Sequence, residues 1–203
     1  MKVAAKRFVS MHSALKQLEA YIRDGNHLQT GSPFRTFGGM RSREILANWL
    51  VCAAFNSIGG EQVEFFTDPT GNDGILRIAS TDKTWPTEHV FIPNLVRSHE
   101  TNIHNLILEA INSKNDRGPT YAKGKTLIVF INAGGGAWHP NLVRKELPDP
   151  LHFGAVWIVG LMRVENKNYT YAVTSMEDTS GDAPIFAINI ADDFDDWTVE
   201  KIQ

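Results

Sequence analysis

Two apolar runs constrain the fold of this 203-residue chain more than any other feature of its sequence. They span residues 126–131 and 153–161, and both are almost continuous stretches of β-branched, aliphatic and aromatic residues. Such runs are typical of strands that are covered on both faces. No other run is apolar enough for that position, so we predict that these two lie side by side at the centre of a mixed sheet.

The remaining segments fit a sheet with helices on both of its faces. Apolar residues at helical spacing predict helices over 11–23, 42–58, 100–114 and, more briefly, 141–146. Strand composition between turns predicts strands over 62–66, 74–79, 87–92, 169–174 and 185–190. This order predicts an α/β fold with a mixed central β-sheet flanked by helices.

Composition favours one folded domain. Hydrophobic residues make up 42% of the chain and charged residues 21%, which is ordinary for a globular protein. We expect an N-terminal helix and loop over 1–38, a core over 40–190 and an acidic C-terminal tail over 191–203. This tail is expected to be solvated and anchored by two aromatic residues, Phe194 and Trp197. The single Cys52 excludes an intramolecular disulfide and lies in an apolar run, which indicates a buried, inert thiol. Without a signal sequence or an apolar stretch of membrane-spanning length, the expected location is cytoplasmic.

Charge is distributed unevenly between the two ends of the chain. Residues 1–50 carry eight Lys and Arg against three acids, whereas residues 176–203 carry eight acids against one Lys. One interpretation is that the basic part faces a polyanion, with Arg35, Arg41 and Arg43 as the candidate nucleic-acid-binding residues. The alternative is that both ends are ordinary solvated surfaces, or that they lie near each other and pair.

Several common site motifs are excluded. The glycine-rich loop 132–140 lacks the Lys-Ser/Thr ending of a P-loop and the spacing of a dinucleotide fingerprint. The seven His and one Cys show no zinc-ligand spacing. No nucleophile elbow supports Ser/His/Asp catalysis.

Two carboxylates at strand positions are more informative. Asp73 opens the strand 74–79 directly after a turn rich in Pro and Gly, and Glu88 lies in the next strand. Carboxylates on adjacent strands can converge on a hard cation such as Mg²⁺, which needs only one or two of them besides waters. The alternatives are structural: Asp73 as a turn-capping residue and Glu88 as one member of an ion pair.

With these acids in place, the span from Glu44 to Leu161 resembles the restriction-endonuclease-like PD-(D/E)XK nuclease superfamily. The resemblance lies in the order of a helix with an acid, a strand, two strands with Asp73 and Glu88, a helix and two buried strands. It implies a restriction-endonuclease-like fold, with Asp73 and Glu88 as metal ligands for Mg²⁺ or Mn²⁺ and Glu44 as a supporting acid. It also implies hydrolysis of DNA phosphodiester bonds and, as in many such nucleases, a homodimer.

The chain departs from this family at one position. The second motif ends in a lysine two residues after its acid, and here that residue is Val90. His89 is not a simple replacement, because it faces away from Glu88 on the strand. Lys114, near the end of a helix, is the first candidate for the missing cation, and Lys83 is the second. Without such a cation, the chain would be an inactive relative that binds nucleic acid or a protein partner.

Overall fold

An eight-stranded mixed sheet organises the described part of the chain, which in the computed structural model comprises residues 10–31, 33–68, 71–93, 102–132, 137–177 and 181–203. Its strands follow one another in space in the same order as in the sequence. Strands β3, β4 and β5 are parallel, and all other neighbours are antiparallel. The strands are β1 (Val63–Phe66), β2 (Gly74–Ile78), β3 (Thr84–Ile92), β4 (Thr126–Ile131), β5 (Ala155–Glu165), β6 (Asn168–Ser175), β7 (Ile185–Ile190) and β8 (Trp197–Lys201).

The two apolar runs form the neighbouring central strands β4 and β5, which confirms the prediction. Val129 lies opposite Ile158 in the parallel register, and the first five residues of each strand are buried. From Leu161 onward β5 is exposed, because β4 has ended and only β6 continues beside it. Burial on both faces therefore applies to the first half of β5 and not to the whole predicted run.

Six helices cover the two faces of this sheet in the described residues. One apolar core joins α1, α2 and α3 to inward side chains such as Ile128 and Trp157, and a second joins α4, α5 and α6 to Val129 and Ile158. This alternation follows from the two-residue period of a strand, and it confirms a mixed α/β fold in a single domain. The helices are α1 (Met11–Arg23), α2 (Gly25–Thr30), α3 (Ser42–Ile58), α4 (Ile103–Asn115), α5 (Pro119–Ala122) and α6 (Pro140–Lys145), with a 3-10 turn at Arg35–Phe37.

Helix α3 is apolar on most of its circumference because the sheet curls around it. It packs against β1, β2 and every strand from β4 to β8, as well as against α1 and α2. Trp49 and Cys52 are fully buried on this helix. Burial raises the pKa of the Cys52 thiol, so the prediction of a buried, unreactive cysteine fits its surroundings.

The C-terminal segment differs from the predicted solvated tail over 191–203. Residues 197–201 form β8, which pairs with β7 at the sheet edge, and the side chain of Phe194 is fully buried. The Trp197 ring packs edge-on against Trp49, with ring centroids 5.1 Å apart. The expected anchoring by two aromatic residues is confirmed, but the segment is a strand and not a tail. The strand was missed because abundant acids obscure the period-two pattern in which Trp197 and Val199 face inward.

The two oppositely charged ends of the chain lie next to each other. Lys16 of α1 is 3.0 Å from the Asp195 carboxylate, and Arg23 donates to the backbone carbonyl of Asp192. The interpretation in which the ends pair is therefore confirmed for α1. Within the described residues, no helix combines the length and apolar character that crossing a membrane requires. Residues 133–136 of the glycine-rich loop and residues 100 and 101 of the helix predicted over 100–114 lie outside the described residues.

Candidate functional site

An open strand edge beside β3 creates the site. Strand β2 pairs only with Thr84–Thr87, so residues 88–92 of β3 have β4 on one side and no β2 partner on the other. A cavity of about 460 Å³ occupies this edge, between α3 on one face of the sheet and α4 on the other. Its polar lining includes Arg41, Arg43, Glu44, Asp68, Asn72, Asp73, Glu88, His89 and Lys114.

Asp73 directly precedes β2, and its backbone still hydrogen-bonds to β3. Its N–H donates to the Thr87 carbonyl at 3.2 Å, and its Oδ2 accepts the His89 N–H at 2.8 Å. The backbone of Asp73 is also tied to α3, because the Asn48 side chain donates to its carbonyl at 3.3 Å and to the Glu44 carbonyl at 2.9 Å. These four bonds hold the Asp73 carboxylate at the mouth of the open edge.

Gly74 is the residue that allows α3 to approach this closely. A Cβ atom at position 74 would lie 2.6 Å from Asn48 Nδ2 and 2.9 Å from Thr87 Oγ1. Both are below normal contact distance, so any other residue would push Asn48 away from Asp73. In the pair Asp73-Gly74, the candidate site residue is thus followed by the glycine that lets α3 come close enough to hold it.

Glu88 projects to the α4 face of the sheet and meets two ammonium groups. Lys114 Nζ, in the last turn of α4, lies 2.5 Å from Glu88 Oε1, and Lys125 Nζ, just before β4, lies 3.8 Å from Oε2. The structure thus brings together Glu88 and Lys114, the first candidate cation. Lys83 lies in the β2–β3 turn and does not line the cavity. Val90 lines it two residues beyond Glu88, as strand alternation requires.

The carboxyls of the site differ in their proton affinity. Burial raises the pKa of Asp73, and the charge of Glu88 adds to this, against the opposing hydrogen bond from His89 N–H. Burial alone would also raise the pKa of Glu88, but Lys114 and the nearby Tyr121 phenol outweigh burial and lower it. The pKa of Glu44 is raised by burial and by the charge of Asp73.

Glu44 has a structural role that the sequence did not reveal. Its Oε2 accepts the Arg41 N–H at 2.8 Å, which caps the first turn of α3, and its side chain is 12% exposed. It still lines the cavity near Asp73, so the structure brings three of the predicted acids to one site. Glu44 is held there chiefly by its backbone partner.

The three predicted nucleic-acid-binding arginines occupy different environments. Arg41 is exposed at the cavity rim, whereas Arg43 is partly buried, with its guanidinium 4.7 Å above the Phe91 ring and bonded to the Gln29 carbonyl. Arg35 is exposed on the 3-10 turn and does not line the cavity. The structure therefore places Arg41 and Arg43, but not Arg35, with Asp73.

His89, Lys125 and Tyr121 were not singled out as site residues by the sequence. The His89 side chain is 8% exposed, and neither ring nitrogen has a hydrogen-bond partner in the described chain. Burial lowers the pKa of His89 to about 3, with the charges of Lys114 and Arg43 acting in the same direction, so the ring is neutral. Lys125 directly precedes the buried strand 126–131, and this is the sequence signal that could have identified it. The strand pairs in parallel with β3, which carries Glu88, so Lys125 lies beside Glu88.

No group of three or more His, Cys, Asp or Glu side chains in the described ranges is arranged to hold a metal ion. The carboxylates that line the cavity are Asp73, Glu88, Glu44 and Asp68. Comparisons with known proteins return no match, whether to a family model, to a curated protein or to a solved structure.

Proposed function

We propose that this chain is a divalent-metal-dependent nuclease that hydrolyses DNA phosphodiester bonds at the cavity beside β3. The order α3, β1, β2, β3, α4, β4, with three antiparallel strands followed by a parallel one, supports a restriction-endonuclease-like arrangement. The meeting of Glu44, Asp73 and Glu88 in one cavity supports the assignment of the acids.

The observation that carries the proposal is the 2.5 Å contact between Lys114 Nζ and Glu88 Oε1. The family resemblance requires a lysine beside the second acid, and Val90 cannot supply it. Lys114 delivers an ammonium group to the same carboxylate from α4. A cation in this place can orient an attacking water and offset the charge that develops on a phosphate.

The donors present suit Mg²⁺ or Mn²⁺. Magnesium takes one or two carboxylates and keeps several waters, so Asp73 and Glu88 are a sufficient protein contribution. The like charges of the two acids repel each other, which is the cost that a bound cation relieves. The N–H and C=O of one strand residue point to the same side, so the His89 carbonyl faces the open edge as well.

When bound, the metal would supply Lewis-acid stabilisation of the phosphate and a more acidic water. The chain itself would do the positioning. Backbone bonds from His89 and Asn48 fix Asp73, and Gly74 keeps α3 close enough for them. Lys114 would hold the water on the α4 side of the cavity, while Arg41 at its rim would attract the DNA backbone.

A second candidate function is a catalytically inactive nuclease-like protein that binds nucleic acid or a protein partner. Val90 in the motif position favours it, because the chain then lacks the lysine that the second motif carries on its own strand. In this alternative the same cavity binds its partner but does no chemistry.

The test is cleavage of supercoiled plasmid DNA with millimolar Mg²⁺, Mn²⁺ or EDTA, using the full chain and its Asp73→Asn variant. The proposal expects metal-dependent nicking or linearisation that the variant lacks. DNA binding without cleavage at any metal concentration would support the inactive alternative. Cleavage that is equal in Asp73→Asn would reject this site as the source of activity.

A further inference from the structure

A second group of cations lies beside the cavity, between the last turn of α4 and the start of β4. Residues 114–125, here called the cationic segment, contain four cations and a single acid, Asp116. Two of the four, Lys114 and Lys125, contact opposite oxygens of the Glu88 carboxylate. Glu88 therefore connects the cationic segment directly to the cavity.

An aromatic ring organises two cations of this segment. The Arg117 guanidinium lies 3.7 Å from the centroid of the Tyr121 ring, and Lys125 Nζ lies 4.2 Å from the same centroid. The Tyr121 ring is itself packed edge-on against Phe153, with centroids 6.2 Å apart. A cation held over a ring keeps its full charge and its hydrogen-bond donors, because the ring does not neutralise it.

Arg117 differs from other stacked arginines in the molecule. Arg23 and Arg77 also lie over Phe rings, but each forms an ion pair, with Glu19 and Asp82 respectively. Arg43, over Phe91, is partly buried and donates to the Gln29 carbonyl. Arg117 is exposed and forms no ion pair with any carboxylate of the described residues. Its charge is thus positioned by the protein and left available for an external anion.

We propose that the cationic segment binds the sugar-phosphate backbone of the DNA strand next to the phosphodiester that lies in the cavity. This inference rests on the proposed function and extends it, because it gives the strand a path over the α4–α5 connection. Arg117 and Lys123 would contact phosphates outside the cavity, and Lys114 would contact the phosphate inside it. Guanidinium groups suit this task since they bind phosphate oxygens in pairs.

The test is DNA binding by fluorescence anisotropy with a short labelled duplex, in EDTA, over a range of salt concentrations. The variant Arg117→Gln/Lys123→Gln removes two cations outside the cavity. We expect its affinity to fall about tenfold and its salt slope to decrease by about one to two, since each lost phosphate contact removes close to one released counterion. The matched control Lys145→Gln/Lys201→Gln removes two exposed cations from α6 and β8. We expect it to bind like the wild type.

The outcomes separate the inference from the proposed function. Wild-type affinity and slope in Arg117→Gln/Lys123→Gln overturn the inference and leave the nuclease proposal standing. An equal loss in the control also overturns it, because net charge and not position would then set the affinity. If the wild type itself binds no DNA, both the inference and the proposed function fail.

A second pair of variants tests the role of the ring. Tyr121→Phe keeps the aromatic platform under Arg117, whereas Tyr121→Leu removes it. We expect affinity close to wild type for Tyr121→Phe and a severalfold loss for Tyr121→Leu, with thermal melting to establish that both variants are folded. Equal affinity in two folded variants would show that the stacked geometry does not contribute to binding.

Discussion

The pKa of a carboxyl group is shifted in opposite directions in the two halves of the candidate site. On the α3 side, burial raises the pKa of Glu44 and Asp73, which accept hydrogen bonds chiefly from backbone groups. On the α4 side, Glu88 is also buried, yet Lys114 lowers its pKa. Burial alone therefore does not decide the direction of a carboxyl pKa shift. The close Lys114 ammonium reverses the effect of burial on Glu88, whereas the Arg41 guanidinium, 3.8 Å from Glu44 Oε1, does not reverse it for Glu44. The α3 half is thus the half in which burial outweighs the cationic neighbours.

The largest expected effect is on cleavage, from a change in the α3 half. Asp73→Asn removes one of two proposed metal donors, so we expect DNA cleavage to fall more than about 100-fold. The melting temperature should stay the same or rise, since the lost charge is destabilised by its surroundings. Plasmid cleavage and differential scanning fluorimetry measure the two. A large drop in melting temperature would show that Asp73 is mainly structural.

A change in the cation of the α4 half should also reduce cleavage. We expect Lys114→Met to lose about 100-fold in rate, because the group that orients water and offsets phosphate charge is gone. Lys114→Arg should recover part of that loss. Lys83→Met is the matched control, since it removes a lysine in the β2–β3 turn outside the cavity. If Lys83→Met impairs cleavage as much as Lys114→Met, the assignment of Lys114 is wrong.

Replacing a carboxylate by an amide should have opposite effects on stability in the two halves: Asp73→Asn should not destabilise the fold, whereas Glu88→Gln should. Glu88→Gln leaves Lys114 and Lys125 without their carboxylate, and we expect a loss of about 1–2 kcal/mol in unfolding free energy, reduced by partial solvent exposure. Urea denaturation of Glu88→Gln, Lys114→Met and the double variant gives the coupling energy of the pair. A coupling energy of zero would mean that the short contact does not stabilise the fold.

The smallest effects are those of pH, and their signs are opposite. Glu88 has a lowered pKa, so its stabilising contribution is full above the usual value of 4.5 and is lost as the pH falls through its folded pKa. Asp73 has a raised pKa, so its contribution is greatest at acid pH and declines as the pH rises above the usual value of 3.8. Melting temperatures from acid to neutral pH should show the deficit of Glu88→Gln, and any gain of Asp73→Asn, growing with pH. Differences that do not change with pH would contradict both pKa directions.

Local sequence patterns predicted most of the elements. The helix over 11–23, the central helix over 42–58 and the paired strands follow from apolar periodicity and turn residues. Lys114 could be predicted only through the family resemblance, which implies that the lysine can come from the neighbouring helix, because it lies near the end of the helix predicted over 100–114. Edge strand β8 could not be predicted. Its alternation of apolar and polar residues is short and lies among many acids, and it is recognised as a strand only from its pairing with β7.

The parts of the site that the sequence did not reveal depend on register between distant segments. Lys125 reaches Glu88 because Thr126 lies opposite Thr87 in the parallel pair β3–β4, and no local pattern specifies that alignment. The capping role of Glu44 required the backbone of Arg41 to turn into α3 at that point. The same basic stretch of sequence contains Arg35, Arg41 and Arg43. Only Arg41 and Arg43, at the start of α3, line the cavity, because Arg35 lies on the preceding 3-10 turn.

The enclosure of α3 by the curled sheet also has a consequence for how the chain folds. This helix lies early in the sequence, yet it packs against β6, β7 and β8, which follow it by more than a hundred residues. Closing such long loops is slow, so the apolar circumference of α3 must wait for the last strands to arrive. During synthesis the part of its surface that packs against β6, β7 and β8 would stay uncovered until these strands have emerged. The time for which this apolar surface is uncovered should therefore be set by the C-terminal strands and not by the helix itself.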